Sequence, residues 1–162
     1  GKVKSLKNYV FMISCSNQET NHIESNKVNN YTNGKHQTYA QSNNYIEYPT
    51  IGSTTAERAK IKSIRLTKEY TAIEIISNNQ SGSTYYQWCN IDRNTYISAN
   101  GKQYTMNRAE GIKIAPDKTY FTHAGQDITF TLYFPPLPES TTSINLIEAS
   151  DSDWKFYGIK IR

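Results

Sequence analysis

Glu110, Glu148, Asp151 and Asp153 are the carboxylates that could do chemistry in the later part of the chain. Glycoside hydrolysis needs two such groups about 5 to 10 Å apart, one as acid and one as base or nucleophile. Asp151-Ser-Asp153 reads more simply as a turn that accepts backbone hydrogen bonds and starts the last strand. Glu148 follows an apolar run directly, and its expected role is a salt bridge or the acceptance of backbone N–H groups near Trp154. A glycan- or peptide-active hydrolase using Glu110 or Glu148 is therefore kept as the enzymatic alternative.

Other catalytic chemistry has less to stand on. His22, His36 and His123 are isolated and lack the HExxH or HxH spacing of a zinc site. Ser14, Ser98 and Ser140 have no nucleophile-elbow context, and Cys15 and Cys89 have no histidine close in sequence. No glycine loop could cradle a phosphate, and the Asp-rich calcium loop with its glycine is missing. The sequence thus assigns no catalytic residue, no metal ligand and no cofactor, and the expectation is a protein that is not an enzyme. What remains is an aromatic group, Tyr85, Tyr86, Trp88, Tyr96 and Tyr104, interspersed with Asn and Gln. Exposed aromatic rings in that company can stack on sugar faces or anchor a protein partner. Period two divides them, with Tyr86 and Trp88 on one side of their strand and Tyr85 on the other, so half must point inward; Trp88 is expected in the core.

The elements that would position these residues are strands. Ile61–Leu66 and Ala72–Ile76 alternate apolar with polar across the short connection Thr67-Lys-Glu-Tyr70, and Thr84–Asn90 is the next strand. Thr95–Ser98 and Lys102–Met106 flank Ala99-Asn100-Gly101, a strong hairpin signal because both central residues of a type I′ turn need positive φ. Gly111–Ile114 leads to a turn at Pro116-Asp117. Ile128, Phe130, Leu132 and Phe134 share one face of a half-buried strand that Pro135, Pro136 and Pro138 stop, leaving Leu137 to plug one end of a core. Ser143–Ile147 and Lys155–Ile161 complete the set, the latter with Tyr157, Ile159 and Ile161 on one face and Phe156 and Lys160 on the other. One short helical turn, Thr54–Lys60, is expected, capped by Thr54 or Thr55. About eight or nine short strands without a long helix argue for an antiparallel β-sandwich over residues 60–162. Residues 1–59 form an N-terminal extension: a first strand at Tyr9–Ser14, then the polar tract 17–44, a surface loop or hairpin that Tyr31, Tyr39, Tyr45 and Tyr48 could stitch down by burying their rings.

A chain of 162 residues with 36% hydrophobic and 12% aromatic content suffices for one domain with one core. The net charge of +4 comes without a block of like charge, so no nucleic-acid partner is expected. No apolar run reaches the ~18 residues of a membrane span. Lys2, Lys4 and Lys7 before Tyr9-Val-Phe-Met-Ile13-Ser14-Cys15 faintly resemble a lipoprotein signal, but the apolar part is shorter than the usual ~7 to 15 residues. A first strand is the expectation and a lipid anchor at Cys15 the lesser alternative. The chain opens on Gly, not Met, which is compatible with an export signal removed upstream. In an oxidising compartment Cys15 and Cys89 could pair; otherwise both are small buried side chains.

Asn100-Gly-Lys-Gln-Tyr104, Glu110-Gly111-Ile112, Phe130-Thr-Leu-Tyr-Phe-Pro-Pro-Leu-Pro138, Asn145-Leu-Ile-Glu148 and Trp154-Lys-Phe-Tyr-Gly-Ile159 together resemble a β-domain recurring in exported proteins of the Bacteroidetes. The resemblance covers residues 60–162. It implies an immunoglobulin-like sandwich in the periplasm or at the cell surface and no reaction; where this chain has Asn145, the family pattern often has Asp. The reading that combines residues and resemblance is a non-catalytic exported module that binds or scaffolds, contacting a glycan or a protein through surface tyrosines, or serving as an accessory domain of a larger assembly.

Overall fold

The computed structural model describes residues 44–79, 88–148 and 154–162. All of them lie in one compact unit, Tyr39–Arg162. Among the described residues the fold is all-β, with no helix and two five-stranded antiparallel sheets in a sandwich-like arrangement.

The first sheet is built from β1 (Tyr45–Glu47), β3 (Ala59–Leu66), β4 (Thr71–Asn78), β10 (Asp127–Phe134) and β8 (Arg108–Glu110), hydrogen-bonded in that order. The second runs β2 (Ser53–Thr54), β12 (Lys155–Lys160), β11 (Ser143–Ile147), β6 (Tyr96–Ala99) and β7 (Lys102–Thr105). A two-stranded ribbon of β5 (Trp88–Cys89) and β9 (Thr119–Tyr120) is hydrogen-bonded to neither sheet, although Cys89 is buried in the core cluster they share. Residues 44–59, set by the sequence outside the core domain, supply β1 to an edge of the first sheet and β2 to an edge of the second.

Alternation decides the core. Ile64, Ile73, Ile75, Leu132 and Phe134 from the first sheet and Ile97, Ile144, Leu146, Phe156 and Ile159 from the second are buried in one cluster. Burying a side chain of this kind stabilises by about 1.5–3 kcal/mol, so the two inner faces hold the layers together. Leu137 is buried among them, as the proline-flanked position suggested. The Asn100-Gly101 turn has φ of 50° and 73°, the left-handed pair that a type I′ hairpin requires, and it joins β6 to β7.

Four expectations are corrected. The Thr54–Lys60 stretch is not helical: Thr54 does accept the N–H of Ala56 at 3.0 Å, but it closes a turn between β2 and β3. Extended pairing with the sheets on either side outweighs a single capped turn. The period of two does not hold throughout from Ile61, because Lys62 is an extra residue between Ile61 and Ser63 in the pairing with β4, a β-bulge that turns both Ile61 and Ile64 inward. A second bulge opposite Asn145 lets Phe156 face the core together with Ile159 and Ile161 while Tyr157 faces out with Lys160, so Phe156 and Tyr157 exchange their expected faces. The Asn145 carboxamide oxygen accepts the Gly158 N–H at 2.8 Å and occupies that irregularity. Lastly, the strand placed at Gly111–Ile114 lies at Arg108–Glu110 instead; Ile114 makes an isolated parallel bridge with Ile91.

Candidate functional site

The outer face of the first sheet carries two rows of side chains that run straight across all five strands. Tyr45, Arg65, Ala72, Tyr133 and Arg108 stand in register as the first row. Glu47, Ser63, Glu74, Thr131 and Glu110 form the second, two residues along each strand. With strands about 4.8 Å apart the rows are ~19 Å long. One is aromatic and basic; its neighbour is acidic and hydroxylic.

Contacts within the rows fix most of these groups. The Tyr133 hydroxyl donates to Glu110 Oε2 at 3.0 Å, and Arg108 pairs with Glu110 Oε1 while its guanidinium lies 3.5 Å from the Tyr133 ring centroid. Tyr70 meets the same ring edge-on, with centroids 5.6 Å apart. The hydrogen bond from Tyr133, and then the one from Arg108, holds the Glu110 carboxyl below its ordinary pKa. Glu74 accepts from Lys62 Nζ at 3.1 Å and Ser63 Oγ at 3.0 Å. The bulge makes this possible, since it brings two successive residues of β3 to one carboxylate. Glu74 in turn raises the pKa of Lys62 through that hydrogen bond.

Ala72 sits in the middle of the first row, between far longer side chains. A depression of about 180 Å³ opens there, lined by Tyr45, Arg65, Tyr70, Tyr133, Glu74 and Thr131 among others. That is the room of about six water molecules. Tyr45 is 40% exposed and forms one side, with the Arg65 guanidinium 5.7 Å from its ring centroid. Thus Tyr45, expected to bury its ring, is instead an open platform, and Tyr48 is more exposed still.

The residues singled out from sequence fall elsewhere. Tyr85 and Tyr86 lie outside the described residues, as do Asp151, Asp153, His22, His36 and Cys15. Tyr96 and Tyr104 belong to adjacent strands of the second sheet but not to one face: Tyr104 stands opposite Ile97 and packs against the core, whereas Tyr96 points outward. Trp88 is not a core tryptophan. It lies on the two-stranded ribbon, 43% exposed, with Lys118 Nζ 4.3 Å from its ring centroid. The tryptophan that closes the core is Trp154, stacked on Phe130 at 5.6 Å.

Both tryptophans line a second hollow, of about 300 Å³, together with Cys89, Asp92 and Glu148. Glu148 is 6% exposed and accepts the Asp92 N–H at 2.8 Å, while its own N–H donates to the Trp154 carbonyl. The expected acceptance of a backbone N–H near Trp154 is what the structure shows. Asp92 Oδ1 accepts the Asn94 N–H at 2.7 Å. Glu110 lies on the outer face of the first sheet and lines neither hollow, so Glu110 and Glu148 are not brought together. Cys89 is a free thiol, and burial pushes it up to about 11, with the Ser77 hydroxyl beside it opposing. A thiol so held is a packing group, not a nucleophile at neutral pH.

Among the described residues no three His, Cys, Asp or Glu side chains are grouped to hold a metal ion, and no helix is long and apolar enough to cross a membrane. Compared with family models, with curated proteins and with solved structures, the chain has no match.

Proposed function

We propose that the protein is a non-catalytic binding module that takes a glycan on the outer face of its first sheet. The observation that carries this reading is the first row: an exposed tyrosine platform, a braced tyrosine wall and a gap over Ala72 between them, edged by hydroxyl, carboxylate and guanidinium groups. A sugar ring has an apolar C–H face for an aromatic ring and a rim of hydroxyls for polar groups in its plane. The exposed large hydrophobic side chains among the described residues are all Tyr or Trp. A protein-binding patch would be expected to offer an apolar centre as well. Export to the periplasm or cell surface, an immunoglobulin-like form of the sandwich and kinship with the Bacteroidetes β-domain belong to the same proposal; a glycan-binding surface agrees with an extracellular setting.

A glycan array followed by calorimetry on the strongest hits tests it. Tyr45→Ala should weaken binding at least tenfold, about 1.4 kcal/mol, while Tyr96→Ala on the other sheet leaves it unchanged. A wild-type protein that binds nothing on the array, or a folded Tyr45→Ala variant that binds as before, would overturn the reading.

One observation favours a second reading, hydrolysis: Glu148 and Asp92 line one hollow with two tryptophans. Both carboxylates already accept backbone N–H groups, which suits a structural role better. Turnover of a glycan or peptide panel that disappears in Asp92→Asn would revive it.

A further inference from the structure

We infer that the glycan recognised at the Ala72 depression carries a carboxylate, as a uronic acid does, and that Arg65 receives it. This rests on the glycan reading and narrows it. Two charged side chains line the depression, Glu74 and Arg65. Glu74 is matched by Lys62, and Glu110 by Arg108. Arg65 is exposed, lines the depression, and has no carboxylate partner among the described residues. The remaining acid of the second row, Glu47, stands opposite Ser63 and lines a different hollow, not the depression. What a ligand meets at the depression is therefore one unmatched positive charge.

Geometry adds to charge. A guanidinium presents its N–H groups as a planar fork that fits the two oxygens of a carboxylate, which an ammonium does not. The Arg65 guanidinium lies over the Tyr45 ring, 5.7 Å from its centroid, and Tyr45 is the most exposed aromatic side chain at the depression. A ring stacked on Tyr45 therefore holds a carboxylate substituent in its own plane within reach of Arg65. Lys60, two positions outward of the bulge on the same strand, is also exposed but lines no part of the depression, so the arrangement is particular to Arg65.

The experiment compares binding of a trigalacturonate with its neutral methyl ester by calorimetry, at low and moderate salt. The acid should bind at least tenfold more tightly, and the advantage should shrink as salt rises. Arg65→Gln should reduce the acid to the affinity of the ester, Arg65→Lys should restore only part of the difference, and Lys60→Gln should leave the ratio intact. Equal binding of acid and ester through Tyr45, with Arg65→Gln without effect, would overturn this inference and leave the glycan reading standing. Failure of both saccharides to bind, alongside an empty glycan array, would remove both. Competition by a tetraglutamate peptide as strong as that by the saccharide acid would also overturn it, because Arg65 would then be reading charge alone.

Discussion

The two sheets obey one rule of alternation on their inner faces and part company on the outer ones. On the first sheet the outward positions hold Tyr45, Arg65, Tyr133 and Arg108, tied by ring, guanidinium and carboxylate contacts. On the second, the outward positions in register are Gln103, Ser98 and Asn145, beside two outward tyrosines, Tyr96 and Tyr157, that make no ring or guanidinium contact of that kind among the described residues. Solubility alone is served by short polar groups of the second kind. Long side chains held in one conformation lose rotamer freedom, a cost of up to about 2 kcal/mol each, and an ordinary solvated face has no reason to bear it. The difference teaches that an aromatic residue marks a site when its outward neighbours fix it, not merely when it is exposed.

Three variants would break or sharpen this contrast. The largest effect belongs to the core both faces share: Phe130→Ala removes a 2%-exposed ring that also stacks on Trp154 and should cost about 3–5 kcal/mol. Urea denaturation followed by separate probes on the two sheets should show one transition; two transitions would mean the faces belong to independent layers. Next comes Gly111, at φ +81°, where a Cβ would lie 2.9 Å from the Thr129 carbonyl oxygen. Gly111→Ala should cost about 1–3 kcal/mol and loosen β8, with hydrogen exchange rising at Arg108–Glu110 and not at Tyr96–Ala99. Equal exchange in both strands would remove the claim that the first face is locally braced. The smallest effect is electrostatic. Glu110 titrates below its ordinary value because Tyr133 and Arg108 favour its charged form, so their support is present above that ordinary value and fades as pH falls through the lowered one. In Tyr133→Phe the Glu110 carboxyl should titrate closer to its ordinary value by NMR, and an unchanged titration would remove the role given to Tyr133.

Much of the layer structure was legible in the chain. The alternation of Ile128 to Phe134 and the Asn100-Gly101 turn each determine local backbone, and local backbone is what sequence spacing reports. The bulge at Lys62 was not legible, since nothing in its residue type separates an extra residue from an alternating one, whereas the second carries a signal in Gly158, a glycine inside a strand run that takes φ of 62°. The site was hidden for a different reason. Tyr45, Arg65, Ala72, Tyr133 and Arg108 come from five strands, and only pairing across the sheet makes them neighbours. Density of aromatics along the chain pointed to Tyr85–Tyr104, where Tyr96 and Tyr104 lie on opposite faces. A usable clue was phase: Tyr133 alternates with Leu132 and Phe134, which placed it outward before any partner was known.

The inserted Lys62 has a consequence for how this chain can vary. Pairing of β3 with β1 is set by residues 63–65, and pairing with the far part of β4 by residues 59–61, so the extra position separates two halves of one strand. Shortening the chain by that single residue would force one half to slide, and a slide of one step exchanges inside for outside. Either Ile61 would lose its place in the interior or Arg65 would leave the surface. A length change that most loops would absorb is therefore closed to this strand, and the lysine that looks like ornament on a solvated face is the spacer that lets a hydrophobic half and a ligand-facing half coexist.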